Sequence, residues 1–268
     1  MKTSASEVSA KANACEARVK AERPAEANDA KRRGFLAASA TMAAGLGFVA
    51  VAPGIRLIEA AAAEGKTASG KVRLGLLIDT NRCAPSCNAC VGACATENGI
   101  VEDVANPRQR AQWIRKIDLV ENKTGRAHSL PMMCQHCANP PCVDVCPTGA
   151  SFKRVDGIVL VDRHICIGCR YCMMACPYKA RSFVHQPLTT QNPEVPRGLG
   201  CVEACTFCVQ RVDRGLKPAC VEACTSGAMT FGDLNDPDSD ISKRLREASS
   251  TQVRADLKLD TGVRYQGI

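Results

Sequence analysis

The chain has 268 residues, of which 18 are cysteine and only 4% are aromatic. This length allows one or two domains, and the cysteine content is far above what thiol packing requires. The formal net charge of +8 suggests a nucleic-acid partner. However, basic and aromatic residues are not interleaved as they are in base-stacking proteins. We therefore expect no nucleic-acid partner, and the cysteines become the residues to explain.

The amino-terminal segment, residues 1–62, contains the pair Arg32 and Arg33, followed by Gly-Phe-Leu and a weakly apolar stretch rich in Ala and Gly. This arrangement resembles a twin-arginine export signal, and the small residues Ala60 to Ala63 offer a cleavage site. We predict a signal peptide and a disordered leader over 1–62, and hence a periplasmic protein. A chance Arg-Arg pair ahead of a membrane anchor stays open as the alternative.

Every cysteine except Cys15 lies between Cys83 and Cys224, and all of these but Cys201 fall into four motifs. We number the motifs one to four; they span residues 83–94, 134–147, 166–177 and 205–224. Motif three reads C-x2-C-x2-C-x3-C-P, the run with which bacterial ferredoxins hold a [4Fe–4S] cluster. A zinc site would need two separated pairs of thiolates around one ion. Motif three therefore predicts an iron–sulfur cluster, and we expect Gly168 to let the backbone approach it.

The other motifs vary this spacing. Motif one has a longer first gap, C-x3-C-x2-C-x3-C, which leaves open a cluster that lacks one iron. Motif two has two extra residues before its third cysteine, and motif four has eleven residues between Cys208 and Cys220. Cys201 is surplus, and we interpret it as a free thiol. A disulfide scaffold stays open for an exported protein, although an odd number of cysteines fits complete pairing poorly.

The fourth cysteine of a ferredoxin motif binds the other cluster of a pair. We therefore expect ligand sets to cross between motifs two and three, and between motifs one and four. The sets are Cys134, Cys137, Cys142 with Cys176; Cys166, Cys169, Cys172 with Cys146; Cys83, Cys87, Cys90 with Cys224; and Cys205, Cys208, Cys220 with Cys94. The expected cofactors are four [4Fe–4S] clusters.

Short apolar runs before or after the motifs, at 71–80, 157–162 and 228–233, predict strands, and 241–248 predicts a short amphipathic helix. Repetition of the motifs predicts an α+β fold of two nested ferredoxin-like modules, related by a pseudo-two-fold axis, with short strands, short helices and long loops. We expect a four-cluster domain over 63–237 and a helix and tail over 238–268. The insert 95–130 is basic, and we interpret it as a solvated face, with a partner surface as the alternative.

Residues next to the predicted ligands fall into two kinds. The apolar ones are expected to keep water from the clusters, and they are Val143, Val145, Ile165, Ile167 and Val221. The basic ones would raise a reduction potential or dock a partner where they are not simply solvated, and they are Lys153, Arg170, Lys179 and Arg181. His136 lies inside motif two, but all four cysteine positions there are filled, so we do not expect it to bind iron.

From Val72 to Asp233 the chain resembles the four-cluster ferredoxin subunits of the DMSO-reductase/NrfC/HybA type. The resemblance rests on the four motifs, including the x4 gap of motif two and the x11 gap of motif four. It implies a subunit that relays single electrons between an NrfD-like, quinone-interacting membrane subunit and redox partners such as a multihaem cytochrome c. No catalytic site is expected on the chain itself.

A narrower likeness links the complex to sulfur metabolism. It rests on the sequences around motifs two and three and on the stretch from Thr261 to Gly267, which resemble iron–sulfur subunits of sulfur-metabolising bacteria. The implied complex is membrane-bound and respiratory, with this chain attached to the membrane through its partners. An electron-transfer subunit of a molybdopterin oxidoreductase, with catalysis on a separate large subunit, stays open as the alternative.

Overall fold

A three-stranded sheet joins the beginning, the middle and the end of the described chain. The computed structural model describes residues 68–100, 106–188 and 191–268. The predicted signal segment 1–62 lies outside these residues. Within them, no helix is long and apolar enough to cross a membrane.

The elements are short and mixed, which confirms the predicted α+β class with short strands, short helices and long loops. The helices are α1 Ala89–Glu97, α2 Pro141–Asp144, α3 Tyr171–Ala175, α4 Val209–Val212, α5 Ala219–Glu222 and α6 Asp240–Glu247. The strands are β1 Leu74–Asp79, β2 Ile114–Val120, β3 Ala127–Met133, β4 Ser151–Lys153, β5 Val159–Val161, β6 Arg181–Phe183, β7 Val202–Ala204, β8 Met229–Asp233 and β9 Val263–Gln266. The three predicted strands correspond to β1, β5 and β8, and the predicted helix to α6.

Strand β1 is the centre of the main sheet, whose order is β8-β1-β9. It runs antiparallel to β8 and parallel to β9, so that Leu76 lies opposite both Phe231 and Val263. Leu76, Leu77 and Ile78 are all buried, although consecutive side chains of a strand point to opposite faces. Both faces of β1 are therefore covered, which explains why its sequence is a continuous apolar run.

The carboxy-terminal residues complete this sheet. Helix α6 begins at a Ser239 cap, whose hydroxyl accepts a hydrogen bond from the Ser242 N–H at 3.3 Å. Its Ile241 is fully buried, as are Val263 and Tyr265 of β9. Residues 238–268 therefore belong to the same core as the cysteine motifs. The sequence did not predict β9, because four residues are too few for a periodic pattern.

The insert 95–130 contains a hairpin that the sequence did not predict. Strands β2 and β3 pair antiparallel from Ile114–Met133 to Val120–Ala127. Arg108 and Arg110 are exposed, as a solvated face requires, but Trp113 and Ile114 are buried in the core. The solvated interpretation is therefore wrong for the part of the insert that enters β2.

We predict that Tyr265→Phe destabilises the protein by about 1–3 kcal/mol, the usual cost of leaving a buried polar group without its partner. The Tyr265 hydroxyl donates to the Pro131 carbonyl at 3.0 Å and accepts from Gln135 Nε2 at 3.2 Å. Anaerobic urea unfolding measures the change. Tyr171→Phe is the control, because Tyr171 is exposed and its hydroxyl is solvated. Equal stability of the two variants would contradict a structural role for the β9 hydroxyl.

Candidate iron–sulfur sites

The cysteines of the four motifs are free thiols packed against one another. All seventeen described cysteines are unpaired, so the disulfide alternative finds no support among the described residues. Most of them are buried, and they form part of the same hydrophobic core as Leu76 and Tyr265. Such a concentration of unbridged thiols in a protein interior suits metal binding.

Two fully buried groups of thiols lie in the interior, and we call them groups B and C. Group B contains Cys94, Cys205, Cys208 and Cys220; group C contains Cys134, Cys137, Cys142 and Cys176. Burial raises the pKa of Cys134 to about 12, and the nearby thiols of Cys142 and Cys176 raise it further while Arg181 lowers it. In group B, burial and then Cys94, Cys220 and Cys208 raise the pKa of Cys205. In both groups, one member therefore comes from a different motif, as the crossing of ligand sets predicts.

Two further groups lie nearer the surface, and we call them A and D. Group A contains Cys83, Cys87, Cys90 and Cys224; group D contains Cys146, Cys166, Cys169 and Cys172. Burial raises the pKa of Cys90 to about 11, with Cys83 and Cys224 adding to the rise. Burial also raises the pKa of Cys172, which interacts with Cys146 and Cys166. Cys169 is exposed in the same loop, between Cys166 and Cys172.

The four groups differ in exposure. Cys87 of group A and Cys169 of group D are exposed, and each of these groups also has half-buried members. Groups B and C have none. Groups A and B are linked by the interaction of Cys90 with Cys220, and groups C and D by that of Cys142 with Cys172. The thiols thus form two pairs of groups, each with one interior and one surface member.

The loops of motifs two, three and four share one backbone feature. The residue before the second cysteine has a positive φ in each of them: 43° at His136, 70° at Gly168 and 53° at Phe207. This left-handed conformation reverses the direction of the backbone and is unusual for His and Phe. Motif one lacks it, because its first gap is one residue longer. The shared turn explains how a short Cys-x2-Cys segment brings its thiols to one side.

A second shared turn follows the fourth cysteine. The third residue after it also has a positive φ: 69° at Gly149, 49° at Lys179 and 61° at Gly227. Two of these residues are glycine, which adopts this conformation without a steric cost. The sequence therefore carried a signal, a glycine three residues after the cysteine, that the spacing argument did not use.

Gly168 has a different role from the one predicted. A side chain there would place its Cβ 2.3 Å from the Gly200 carbonyl oxygen, which is closer than atoms can approach. The neighbour that excludes a side chain is therefore the backbone leading into β7, and not the space between the thiols. Together with its positive φ, this contact explains the glycine.

Hydrogen-bond donors surround the thiols. Cys146 Sγ accepts from the Ser151 N–H at 3.3 Å, and such bonds lower the pKa of this thiol although burial opposes them. Asn98, which is fully buried, directs its Nδ2 to the Cys94 carbonyl at 2.9 Å and lies 3.6 Å from Cys94 Sγ. Donors of this kind stabilise charge on sulfur in a dry environment.

Lys116 holds the loop of motif one. Its Nζ donates to the carbonyl oxygens of Ala84 and Cys87, each at 2.5 Å, and of Pro85 at 3.0 Å. Three carbonyls gathered by one ammonium fix the bulge that the longer first gap creates. The sequence placed Lys116 on a solvated face, because the pairing of β2 that brings it to this loop is not visible in the sequence.

The other basic residues near ligands have separate fates. Arg181 is buried, and its Nη2 donates to Cys142 Sγ at 3.1 Å. The Arg170 guanidinium lies over the Phe183 ring at 3.9 Å, and Lys153 Nζ donates to the Ala138 carbonyl at 2.6 Å. Lys179 is exposed. Only Arg181 therefore contacts a predicted ligand thiol directly.

His136 is buried and neutral. Its Nδ1 accepts from the Val159 N–H at 3.0 Å, and its ring stacks on Phe207 at 3.7 Å. Burial lowers the pKa of His136 to about 3, and the nearby arginines add to this effect. The stack joins motif two to motif four, since His136 precedes Cys137 and Phe207 precedes Cys208.

The apolar residues next to ligands do not all exclude water. Val143 and Val221 pack against the core, but Val145, Ile165 and Ile167 are exposed. The prediction that they shield the clusters is therefore wrong for these three. All three lie beside group D, where they contribute to an apolar surface instead. Cys201, the surplus cysteine, is buried and donates to the Arg163 carbonyl at 3.3 Å, also close to Cys166.

The donor set fits an iron–sulfur cluster. Free thiols from two motifs gather in each group, and nitrogen donors point at sulfur in groups B, C and D. Within the described residues, no three Cys, His, Asp or Glu side chains converge on one point, as ligands of a single ion would. In a [4Fe–4S] cluster each thiolate binds its own iron, so its ligands do not need to converge.

Comparison with known proteins gives the class. Residues 126–234 match the model of the 4Fe-4S dicluster domain. The chain is 48% identical to the Hdr-like menaquinol oxidoreductase iron-sulfur subunit 1 of Archaeoglobus fulgidus, over 66% of this chain and 71% of that protein. It is 37% identical to a tetrathionate reductase subunit of Salmonella typhimurium, over 82% and 80%. It is 42% identical to protein NrfC of Escherichia coli, over 66% and 72%.

The chain therefore belongs to the family of ferredoxin-type [4Fe–4S] subunits that includes these proteins. This confirms the resemblance drawn from the motifs. Its cofactors are multiple [4Fe–4S] clusters, and the sixteen motif cysteines are consistent with four. It is an iron–sulfur protein of electron transport.

We predict that Cys201→Ala keeps the iron content of the parent, about sixteen atoms for four clusters, whereas Cys205→Ala loses up to about four. Both cysteines are buried and lie four residues apart, so each is a control for the other. Iron and acid-labile sulfide per chain, measured after anaerobic purification, distinguish the two. An equal loss in both variants would contradict the choice of Cys205 over Cys201.

We also predict that Lys116→Met removes iron from group A alone, about four of the sixteen atoms, because the loop that presents Cys83 and Cys87 loses its three anchors. Lys123→Met, at the exposed turn of the same hairpin, is the matched control. Full iron content in Lys116→Met would mean that the loop keeps its shape without the lysine.

Proposed function

We propose that the chain is the periplasmic electron-transfer subunit of a membrane-bound respiratory complex, with four [4Fe–4S] clusters held by groups A to D. The observation that carries the proposal is the gathering of sixteen motif thiols into four groups, each of which combines two motifs. When bound, the clusters accept and donate single electrons without protons. The chain supplies the ligands, the spacing and the exclusion of water.

The proposed nesting of two modules is supported by the strand pairing. Strand β1 precedes motif one and pairs with β8, which follows motif four. Between them, the β4–β5 hairpin connects motif two to motif three. Motifs two and three are therefore enclosed by motifs one and four, in sequence and in strand pairing. This is the arrangement that ligand crossing within the two pairs requires.

We propose the order D–C–B–A for electron transfer. Groups C and D interact through Cys142 and Cys172, and groups A and B through Cys90 and Cys220. The His136–Phe207 stack, at 3.7 Å, connects the loop of group C to that of group B. The two ends of this order are the two groups with exposed thiols, so that electrons can enter and leave at separate surfaces.

The surface around group D suits an apolar partner. Its exposed apolar side chains are Ile165, Ile167, Tyr171, Met174 and Leu199, and we call this set the group D face. Met174 and Ile167 are 74% and 67% exposed, which is unusual for such side chains in a soluble surface. We propose that this face docks the NrfD-like, quinone-interacting membrane subunit, which would bring quinone chemistry close to group D.

The relatives support an oxidoreductase complex of this kind. One is named as a subunit of a menaquinol oxidoreductase, and another, from Allochromatium vinosum, as a sulfite dehydrogenase subunit with 39% identity. The stretches around motifs two and three and the Thr261–Gly267 ending resemble DsrO, the iron–sulfur subunit of the DsrMKJOP complex. We therefore propose a role in sulfur metabolism, with a multihaem cytochrome c as the second partner. The Arg32–Arg33 signal, which lies outside the described residues, supports export to the periplasm.

A molybdopterin oxidoreductase subunit is the second candidate. The tetrathionate reductase relative, with 80% of its length covered, favours it. The two candidates share the clusters and differ in the partner that receives or delivers electrons. Anaerobic purification of the native complex in mild detergent distinguishes them. A membrane subunit with haem and without molybdenum supports the respiratory complex, and a stoichiometric molybdopterin subunit would contradict it.

We predict that Met174→Glu combined with Leu199→Glu lowers recovery of the membrane partner at least about tenfold, because two buried carboxylates would disfavour an apolar interface. Iron content should stay at the parent value, since neither side chain is a predicted ligand. Val155→Glu is the control, because Val155 is equally exposed but lies in the loop between β4 and β5. Recovery that falls equally in the control would place the partner elsewhere.

A further inference from the structure

Arg181 brings an arginine side chain into the space between groups C and D. It begins β6, pairs with Ala204 in β7, and is only 6% exposed. Its Nη2 donates to Cys142 Sγ at 3.1 Å and to Ser151 Oγ at 2.7 Å. Cys142 belongs to group C, and Cys172 of group D also interacts with the guanidinium. One cation therefore faces thiols of two different groups.

No carboxylate neutralises this arginine among the residues that the structure describes. The described arginine ion pairs involve other residues, such as Arg197 with Glu203 at 2.7 Å and Arg154 with Asp213 at 2.8 Å. The Nη1 atom of Arg181 is buried and has no hydrogen-bond partner among the described residues. A buried guanidinium without a counter-charge is costly, so the fold requires negative charge close to it.

We propose that Arg181 is the shared counter-charge of the clusters in groups C and D, and that it raises the reduction potential of both. The proposal rests on the assignment of these thiols as ligands. A [4Fe–4S] centre with four thiolates is negatively charged and becomes more so on reduction. A fixed positive charge in a poorly hydrated site stabilises the reduced state more than the oxidised one. Arg181 acts through the thiolates and keeps its proton throughout, so we regard it as a positioning and tuning residue.

The other pair of groups has no equivalent among the described residues. Arg211 lies near Cys208 of group B, but it pairs with Glu97 at 3.1 Å and also with Glu222. Its charge is therefore largely balanced before it reaches the thiols. Lys116, beside group A, is directed to backbone carbonyls. The charge distribution makes groups C and D the higher-potential half of the chain.

The test is a redox titration of the purified, cluster-loaded chain, followed by EPR, with Arg181→Gln, Arg181→Lys and the parent. Arg181→Gln should lower two of the four potentials, each by a tenfold or larger change in the reduction equilibrium, about 59 mV per tenfold for one electron. The other two should not move. Arg181→Lys keeps the charge and should restore most of the loss. Arg246→Gln, exposed on α6, is the control for a change of net charge alone.

Iron content separates this inference from the proposed function. A parent with far fewer than about sixteen iron atoms would contradict the ligand assignment, whatever the variants do. In a fully loaded parent, unchanged potentials in Arg181→Gln, or an equal fall of all four, would overturn the role of Arg181. If Arg181→Gln loses its clusters, Arg181→Lys decides alone. Parent-like potentials in that variant support the proposal, and a fall as large as the one expected for a lost charge overturns it.

Discussion

The structure depends on the burial of thiols beside one another. A buried thiol resists ionisation, and a neighbouring thiolate raises the resistance further, as Cys134 and Cys205 illustrate. Iron reverses this balance, because a coordinated thiol is deprotonated outright. With aromatic residues at only 4%, the thiols occupy space that large side chains fill in most proteins. We therefore expect metal binding and folding to be coupled in this chain.

The local backbone is arranged to serve these thiols. Left-handed residues at His136, Gly168 and Phe207 turn the short loops, and the hairpin lysine Lys116 secures the one loop whose spacing differs. The main sheet lies outside the cysteine motifs and closes them, since β1, β8 and β9 come from opposite ends of the described chain. Loops, donors and sheet thus form one unit around the four groups.

Cysteine spacing predicted the cofactor, the α+β class and three of the nine strands, because ligand geometry is encoded locally. The features that it missed depend on distant pairing. Neither the burial of Tyr265 nor the contact of Lys116 with motif one follows from adjacent sequence, since β9 and β2 find their places only through tertiary contacts. Likewise, Ile165 and Ile167 look like core residues in sequence, but the loop that carries them lies at the surface.

The central claim is that the ligand sets cross between motifs. EPR of the reduced chain, compared among single cysteine variants of motif three, tests it most directly. Cys176→Ala should alter the same signal as Cys137→Ala of motif two, while Cys172→Ala should alter the same signal as Cys146→Ala. If Cys176→Ala and Cys172→Ala instead altered one common signal, each motif would hold its own cluster and the account would be contradicted.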